Sequence, residues 1–348
     1  MKILSIDTSA DDTSVAITEG RRILANERYS QIKLHSKWGG IYPTVAKRAH
    51  QEMMQPVLKR ALLKAGMTLN KLDAFAVTYG PGLAPALQIG INTIKELAKK
   101  FKKPLIPVNH LEGHIYSCFA ENSQGNPVRN FQFPYIVLLA SGGHTELVLF
   151  HDHINYEIIG RTLDDASGEA LDKAAKMLIG AVYPGGPVVE RLALTGNKNY
   201  FVFPRPMMKT DSLDFSFAGL KTSFLYHLRE MSEKEKQQHL SDLAASFQEA
   251  IMRSLVIKME RAIKKYNITR LCVGGGVSAN KTLRKYMRDV AKKQKGTAFF
   301  PTFKSLYGDN GAMIGIAGYF KAQKKMFAKN IDSVDRVPRA SLDNLEKF

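Results

Sequence analysis

Residues 135–150 read YIVLLASGGHTELVLF, and the meaning of this stretch decides the fold. Tyr135 to Ala140 has the apolar content of a buried strand, Ser141-Gly142-Gly143-His144-Thr145 is a glycine turn, and Glu146 to Phe150 is the return strand. The same pattern stands about 130 residues earlier. There Ile3-Leu4-Ser5-Ile6 is a strand, Asp7 to Ser14 a turn, and Val15-Ala16-Ile17 the return. That first turn is crowded with hydroxyls, carboxylates and backbone donors, which suits a phosphate and its metal. Two strand–phosphate-turn–strand units imply an internal duplication, with two like domains facing a cleft.

Between and after the two units, strands alternate with helical patterns. Ala74 to Tyr79 is a strand closing on Gly80-Pro81-Gly82, and 104–109 is another; helices are expected around 44–65 and 85–99. Alternation of this kind argues α/β architecture with mixed or parallel sheets. The expected fold is therefore a pair of duplicated domains like those of actin, sugar kinases and the Hsp70 ATPase, closing on a nucleotide cleft. Residues 1–130, joined by the helices of about 305–348, should form the first domain and 131–304 the second, with Asn122 to Asn130 as the linker. Leu243, Phe247, Ile251, Leu255, Met259 and Ile263 recur at helical spacing and form a core stripe.

Composition narrows the class. The 348 residues are 45% hydrophobic, enough for sizeable cores, and carry a formal charge of +18, which favours a polyanionic partner. No apolar run approaches a membrane span, and an acid at Asp7 comes too early for a signal peptide. The two cysteines, Cys118 and Cys272, read as reduced core residues of a cytoplasmic protein.

The 104–109 strand runs into His110-Leu111-Glu112-Gly113-His114. Histidines at i and i+4 share one helix face a turn apart, which suits two imidazoles on one ion, here expected at the protein surface. In the second half, Asp164 and Asp165 stand where acids cap the helix after them, whereas Asp172 lies two turns in, where capping does not explain it. Leu271-Cys272-Val273 runs into Gly274-Gly275-Gly276-Val277-Ser278-Ala279-Asn280, a glycine turn that permits close approach to a flat or charged ligand. Lys281, Arg284, Lys285 and Arg288 then share one helix face, whose ordinary reading is a solvated surface; it becomes a candidate docking face only if the partner is a polyanion. The tail from Lys321 is polar and mixed in sign, and reads as surface helix and then a loose end.

The segments HLEGHIYS, LLASGGHTELV, DDASGEALDKAAK, YPGGP, DFSFAGLKT, GGGVSAN and GDNGAMIG together resemble, in order, the tRNA adenosine threonylcarbamoyltransferase family in its bacterial and organellar branch. The resemblance implies transfer of a threonylcarbamoyl group from threonylcarbamoyl-AMP to the exocyclic amine of the adenosine next to the anticodon, in tRNAs reading codons that start with adenine. It implies one divalent metal per chain, iron(II) ahead of zinc, on His110, His114 and Asp309. It places the donor adenylate on Leu139, Ala140, Ser141, Gly142, Gly143, Asp172, Gly186, Glu190 and Asn280. Asp11 or Asp12 is the candidate base for the attacking amine. The implied partners are tRNA, a smaller homologous subunit of the same fold and a small ATPase subunit, with no membrane; the helices around 44–65 and 85–99 should offer the homologue an exposed apolar patch. The chain departs from the family pattern at Ala10, Asp12, Gly308 and Gly311, and Leu139 offers no phenolate. Two other classes share some of these features. A metalloprotease needs a glutamate beside the first histidine, but Glu112 lies about 200° round the helix from His110. A small-molecule kinase of the same fold would move phosphate instead of an acyl group.

Overall fold

In the computed structural model, which describes residues 1–348, the two hairpins stand at the centres of two five-stranded sheets. The first sheet is built from β1 (Lys2–Asp7), β2 (Asp12–Glu19), β3 (Arg22–Ser30), β4 (Ala74–Gly80) and β5 (Leu105–Asn109), in the order β3-β2-β1-β4-β5. The second is built from β6 (Tyr135–Ala140), β7 (Thr145–Asp152), β8 (Asn155–Arg161), β9 (Arg270–Gly274) and β10 (Thr297–Phe299), in the order β10-β9-β6-β7-β8. The two orders are one topology written twice: an antiparallel three-strand meander, then two strands added parallel to its first member. The central turns also correspond. Asp7 and Ala140 end the first strand of each unit, and Asp12 and Thr145 open the second. The return strand of the first unit thus starts at Asp12, before the expected Val15, because Asp12, Thr13 and Ser14 pair with β3 and the two hydroxyls find hydrogen-bond partners. The Thr13 hydroxyl lies 2.8 Å from His50 Nδ1, and Ser14 donates to the Glu27 carbonyl.

The long helix Leu240–Tyr266 buries all six residues of its expected stripe. The helices Pro43–Ala65 and Ala84–Phe101 pack on the outer face of the first sheet through Met54, Val57, Leu58, Leu87, Ile91 and Ile94. Their outward surfaces are polar: within them only Leu63 is an exposed large hydrophobic residue, so the expected apolar patch is not there. The first helix spends its apolar residues on the sheet and presents Lys47, Arg48, Gln51, Glu52, Gln55, Lys59 and Arg60 to solvent.

A third core lies between the sheets, and it positions the site. Ile3, Ala76 and Val108 from the first sheet and Val137, Leu139 and Cys272 from the second pack around two helices, His110–Tyr116 and Gly311–Gln323. Every residue of the histidine helix is buried, contrary to the surface position expected for it. Charged and histidine side chains are rarely buried without partners, so sequence polarity pointed outward. Two glycines permit the burial. A Cβ on Gly113 would stand 2.8 Å from Met313 Cγ, and one on Gly274 would stand 2.6 Å from the His114 carbonyl oxygen.

The tail is not a loose end. Val334, Ala340 and Leu342 are buried, the Val337 amide donates to the Tyr79 carbonyl, Asn109 Nδ2 donates to the Ser341 carbonyl, and the Phe348 ring sits edge-on to Tyr79. Asp343 pairs with Arg161 across to the second sheet. The apolar residues that hold it are spaced too irregularly among charges to form a helical or alternating pattern. No helix is long and apolar enough to cross a membrane.

The Gly274 approach is testable by denaturant titration. Gly274→Ala should lose about 1–3 kcal/mol, the usual cost of overpacking. Gly276→Ala, two residues on with open space around it, should lose little. Equal urea midpoints for the two variants would rule out close packing at Gly274.

Candidate active site

The histidine helix starts where it does because Asn109 both ends β5 and caps the first helical turn. Asn109 Oδ1 accepts from the Leu111 amide at 2.9 Å, and Glu112 Oε2 accepts from the Asn109 amide at 3.0 Å, a reciprocal capping box. This fixes His110 in the first turn at the carboxyl edge of a parallel strand, where open α/β sheets gather functional groups. Glu112 is committed to the cap and to Lys321 Nζ at 3.1 Å. It has no access to the histidine face, which removes the base a metalloprotease would require.

Asp309 arrives from the far end of the chain. Asn310 caps the helix Gly311–Gln323 by accepting from the Met313 amide, and Asp309 stands immediately before that cap. Its Oδ1 lies 3.3 Å from His110 Nε2 and 3.4 Å from His114 Nε2. The three candidate ligand atoms fall within 4.8 Å of one another. His114 Nδ1 is buried without a hydrogen-bond partner and Nε2 has only the long, poorly aligned approach to Asp309, an arrangement that costs energy in a bare protein and that a cation at Nε2 relieves in part. Burial pushes the His114 pKa down, so it offers a neutral lone pair. Burial opposes charge on His110 too, but the Asp309 and Asp7 carboxylates outweigh it and raise the imidazole to about 10, so a cation at Nε2 would take the place of a proton. Asp309 itself is held well below the usual range: desolvation works against ionisation, and the two imidazoles overcome it. Two imidazoles and a carboxylate with positions left over form the donor set of an open divalent metal site.

Sequence reasoning missed two residues here. Asp7 is fully buried; its Oδ1 lies 3.4 Å from His110 Nδ1 and accepts from Thr78 Oγ1 at 2.5 Å, and Ser9 donates to its other oxygen at 3.1 Å. It orients the first histidine, as carboxylates behind metal-binding imidazoles do. Its signal was the acid that ends an otherwise apolar first strand. His144 of the glycine turn is driven down to about 4 by burial and then by the charge of the neighbouring His110, and so stays neutral.

A cavity of about 330 Å³ opens beside this centre, between the two halves. Asp11, Asp12 and Asp309 line it together with Gly142, Asp172, Gly186, Glu190 and Asn280 from the second half. Leu139 and Ala140 do not line it: their side chains belong to the cores on either face of β6, and only their backbones are near the turn. Ser141 shapes the turn, accepting at Oγ from the His144 amide, while Gly142 and Gly143 have open space where a side chain would stand. Asp172 Oδ1 accepts from the Gly185 and Gly186 amides at 2.7 and 3.0 Å and so pins the YPGGP turn. Burial still raises its pKa. Glu190 accepts from the Lys281 amide, and Asn280 spends both polar atoms on Leu283 and Gln248.

The acid pair is strongly perturbed. Burial first, then the Asp309 charge, lifts Asp11 to about 6. Burial lifts Asp12 to about 7 despite an ion pair with Arg28 at 3.1 Å.

Two expectations are corrected. Asp164 does not cap its own helix: it accepts from the Phe217 and Ala218 amides and caps the helix Ala218–Glu230, while Asp165 pairs with Lys173 and Lys221. Arg284 leaves the proposed basic face. Its guanidinium lies over the rings of Tyr307 and Phe300, at 4.4 and 4.9 Å, and donates to the Ser278 and Pro301 carbonyls. A planar cation finds more in that stack than in water, so Lys281, Lys285 and Arg288 remain as the exposed row.

Duplicated sheets with a shared core and an interlobe cleft define a protein of the actin- and Hsp70-like ATPase fold. HypF of T. kodakarensis superposes with a TM-score of 0.60 at 16% identity, covering 93% of this chain and 48% of that one. The activator of 2-hydroxyisocaproyl-CoA dehydratase from Clostridium difficile superposes with a TM-score of 0.52 at 14% identity, covering 93% and 97%. Within this fold class the chain belongs to the tRNA N6-adenosine threonylcarbamoyltransferase family, whose model matches residues 22–316. The tRNA N6-adenosine threonylcarbamoyltransferase of Endomicrobium trichonymphae is 44% identical over 98% of both chains. That of Anaeromyxobacter sp. (strain Fw109-5) is 46% identical over 91% of this chain and 93% of its own.

The metal set predicts a clear result by elemental analysis. Protein loaded with iron(II) or zinc should carry about one ion per chain, and His114→Ala or Asp309→Asn should each lose most of it. Glu112→Gln should keep the ion and lose only stability. Full metal content in both ligand variants would place the ion elsewhere.

Proposed function

We infer that this chain transfers a threonylcarbamoyl group from threonylcarbamoyl-AMP to the exocyclic amine of the adenosine next to the anticodon of tRNAs reading codons that start with adenine. The observation that carries the reading is the cavity in which an acid pair and an open glycine turn meet Asp309, the carboxylate of the two-histidine centre behind it. Family membership supports the reaction class, and the charge of +18 suits a polyanionic acceptor.

The donor is an activated mixed anhydride, so the protein need not supply a nucleophile. The adenosine nitrogen forms the new bond to the carbamoyl carbon, the carbon–oxygen bond to phosphate breaks, and AMP leaves. The protein's work is orientation and charge management. The Gly142–Gly143 turn gives the phosphate a backbone approach. Asp172 Oδ2, whose partner oxygen is tied to the turn, is the acceptor for a ribose hydroxyl, with Glu190 beside it and the Gly276–Asn280 wall along the adenine. Backbone groups of Leu139, Ala140 and Ser141 complete the turn from below. His110, His114 and Asp309 would hold a divalent ion, iron(II) before zinc, and that ion would supply Lewis acidity. Asp7 keeps the first histidine oriented for it.

The amine must lose a proton, and the acid pair is placed to take it. Arg28 already occupies Asp12, which leaves Asp11 as the base, its pKa kept up by burial and then by the neighbouring Asp309 charge. Family membership also argues for helper subunits: a smaller homologue of the same fold and a small ATPase. The polar outward faces of Pro43–Ala65 and Ala84–Phe101 would meet the homologue through charge and hydrogen bonds.

Depletion and then mass analysis of tRNA nucleosides should show loss of threonylcarbamoyl-adenosine; an unchanged level would overturn the reading. A carboxylate with a raised pKa is protonated below that value and works as a base only above it. Single-turnover transfer should therefore rise with pH through the interval from about 6 to about 7 and then level off. Asp11→Asn should cut the rate by roughly 10²–10⁴-fold and abolish the acid limb, whereas Asp12→Asn should cost less. A flat profile in the parent protein would reject Asp11.

A further inference from the structure

The segment joining β3 to the helix Pro43–Ala65 contains a feature the chemistry above does not use. Trp38, the single tryptophan of the chain, is 62% exposed, and Tyr42 is 52% exposed. Their rings lie 5.5 Å apart at 32°. Large aromatic surfaces left in water mark a place where something docks.

The base beneath the rings is held in place. His35 and Gln31 are fully buried, His35 Nε2 lies 3.0 Å from Gln31 Oε1, and the Tyr42 amide donates to His35 Nδ1. The segment also borders the cleft. Ile32 lines the donor cavity, and a Cβ on Gly39 would stand 2.9 Å from Lys176 Cε, on the helix that carries Asp172. The strip thus begins at the acid pair's side of the mouth and reaches across to the second half.

Charge selects the occupant. Between Glu27 and Glu52 the chain carries Arg28, Lys33, Lys37, Lys47 and Arg48 and no acid. Arg28 and Arg48 are paired with Asp12 and Glu52; Lys33, Lys37 and Lys47 make no ion pair. Flat rings among unpaired cations are how proteins hold single-stranded nucleic acid, the base stacking on the ring and the phosphates running along the lysines. A protein partner would have to bring acids for three lysines and a flat apolar group for two rings at once, whereas a nucleotide carries both in one unit.

We propose that Trp38 and Tyr42 form a stacking platform for an unpaired base of the RNA loop whose adenosine enters the cleft, with Lys33 and Lys37 on the neighbouring phosphates. The proposal rests on the reading that RNA is the acceptor. A loop must open to deliver an adenine edge into a cavity, and a stacked neighbour at the rim compensates for the stacking that the opened loop gives up.

Because Trp38 is the only tryptophan, its emission reports on the platform directly. Titration with an RNA anticodon stem-loop should change that emission with the same midpoint that fluorescence anisotropy of labelled RNA gives. Duplex RNA of equal length should leave it unchanged. Trp38→Ala should weaken stem-loop binding roughly 5- to 150-fold, as loss of one base–aromatic stack does. Trp38→Phe should retain most of the affinity, and neither variant should alter AMP binding. If the stem-loop binds with silent tryptophan emission, or Trp38→Ala binds it as tightly as the parent, the platform is wrong and the RNA reading stands. If the parent protein does not bind the stem-loop at all, both fall.

Discussion

Burying a charged histidine beside a neutral one between two sheets requires that the charge be balanced on the spot, and much of the architecture serves that requirement. Asp7 comes from the end of β1, Asp309 from the approach to the helix Gly311–Gln323, and the two carboxylates stand on opposite sides of the His110 ring. Neither would be stable so deep alone, since an isolated ionised carboxylate is costly to desolvate. The histidines are likewise held by the acids, although His114 Nδ1 has no partner and Nε2 only the 3.4 Å approach to Asp309. The fold closes this centre only when the chain's first strand, its middle and its last long helix are all in place.

Duplication supplies the frame, and divergence of the two turns supplies the chemistry. In both units four residues separate the strands, but the first turn ends in carboxylates and the second in glycines and a histidine. One half of the cleft therefore presents carboxylates, and the other presents open backbone suited to an anion. The halves cannot drift apart freely, because the core between them draws on both sheets. The tail adds a second tie: it pairs Asp343 with Arg161 while its backbone is bound to Tyr79 and Asn109.

Sequence showed the fold clearly because its signals are local. Strand–turn–strand units, the stripe from Leu243 to Ile263, and strands running into Gly80 and Gly274 are each read within a short window. The cleft residues were legible where a motif exceeded its structural need, as at Asp172, two turns into a helix. What stayed hidden depended on distant packing. The burial of the histidine helix rests on Gly113 meeting Met313 and Gly274 meeting a carbonyl of that helix, contacts no window contains. Asp164 caps a helix more than fifty residues away. Arg284 shares a helix face with Lys281, Lys285 and Arg288 by spacing, yet two aromatic rings brought in by later residues take it out of solvent.

The same distance effect explains why the acids at positions 11 and 12 were ambiguous from sequence and are separable in space. As neighbours in a polar turn they look equivalent. In the folded chain Arg28, from the next strand of the meander, reaches Asp12, whereas Asp11 shares the cavity wall with Tyr183 from the second half. Asp12 is thereby tied to its own sheet, and Asp11 faces the opposite wall of the cleft, where both the Asp172 turn and Asp309 converge. A proton acceptor has to meet the acceptor amine at the point where the two halves come together, and only one of the two carboxylates is left free of an ion pair there. The assignment therefore rests on which side of the cleft each cation or phenol comes from, a property of the duplicated topology and not of the turn sequence.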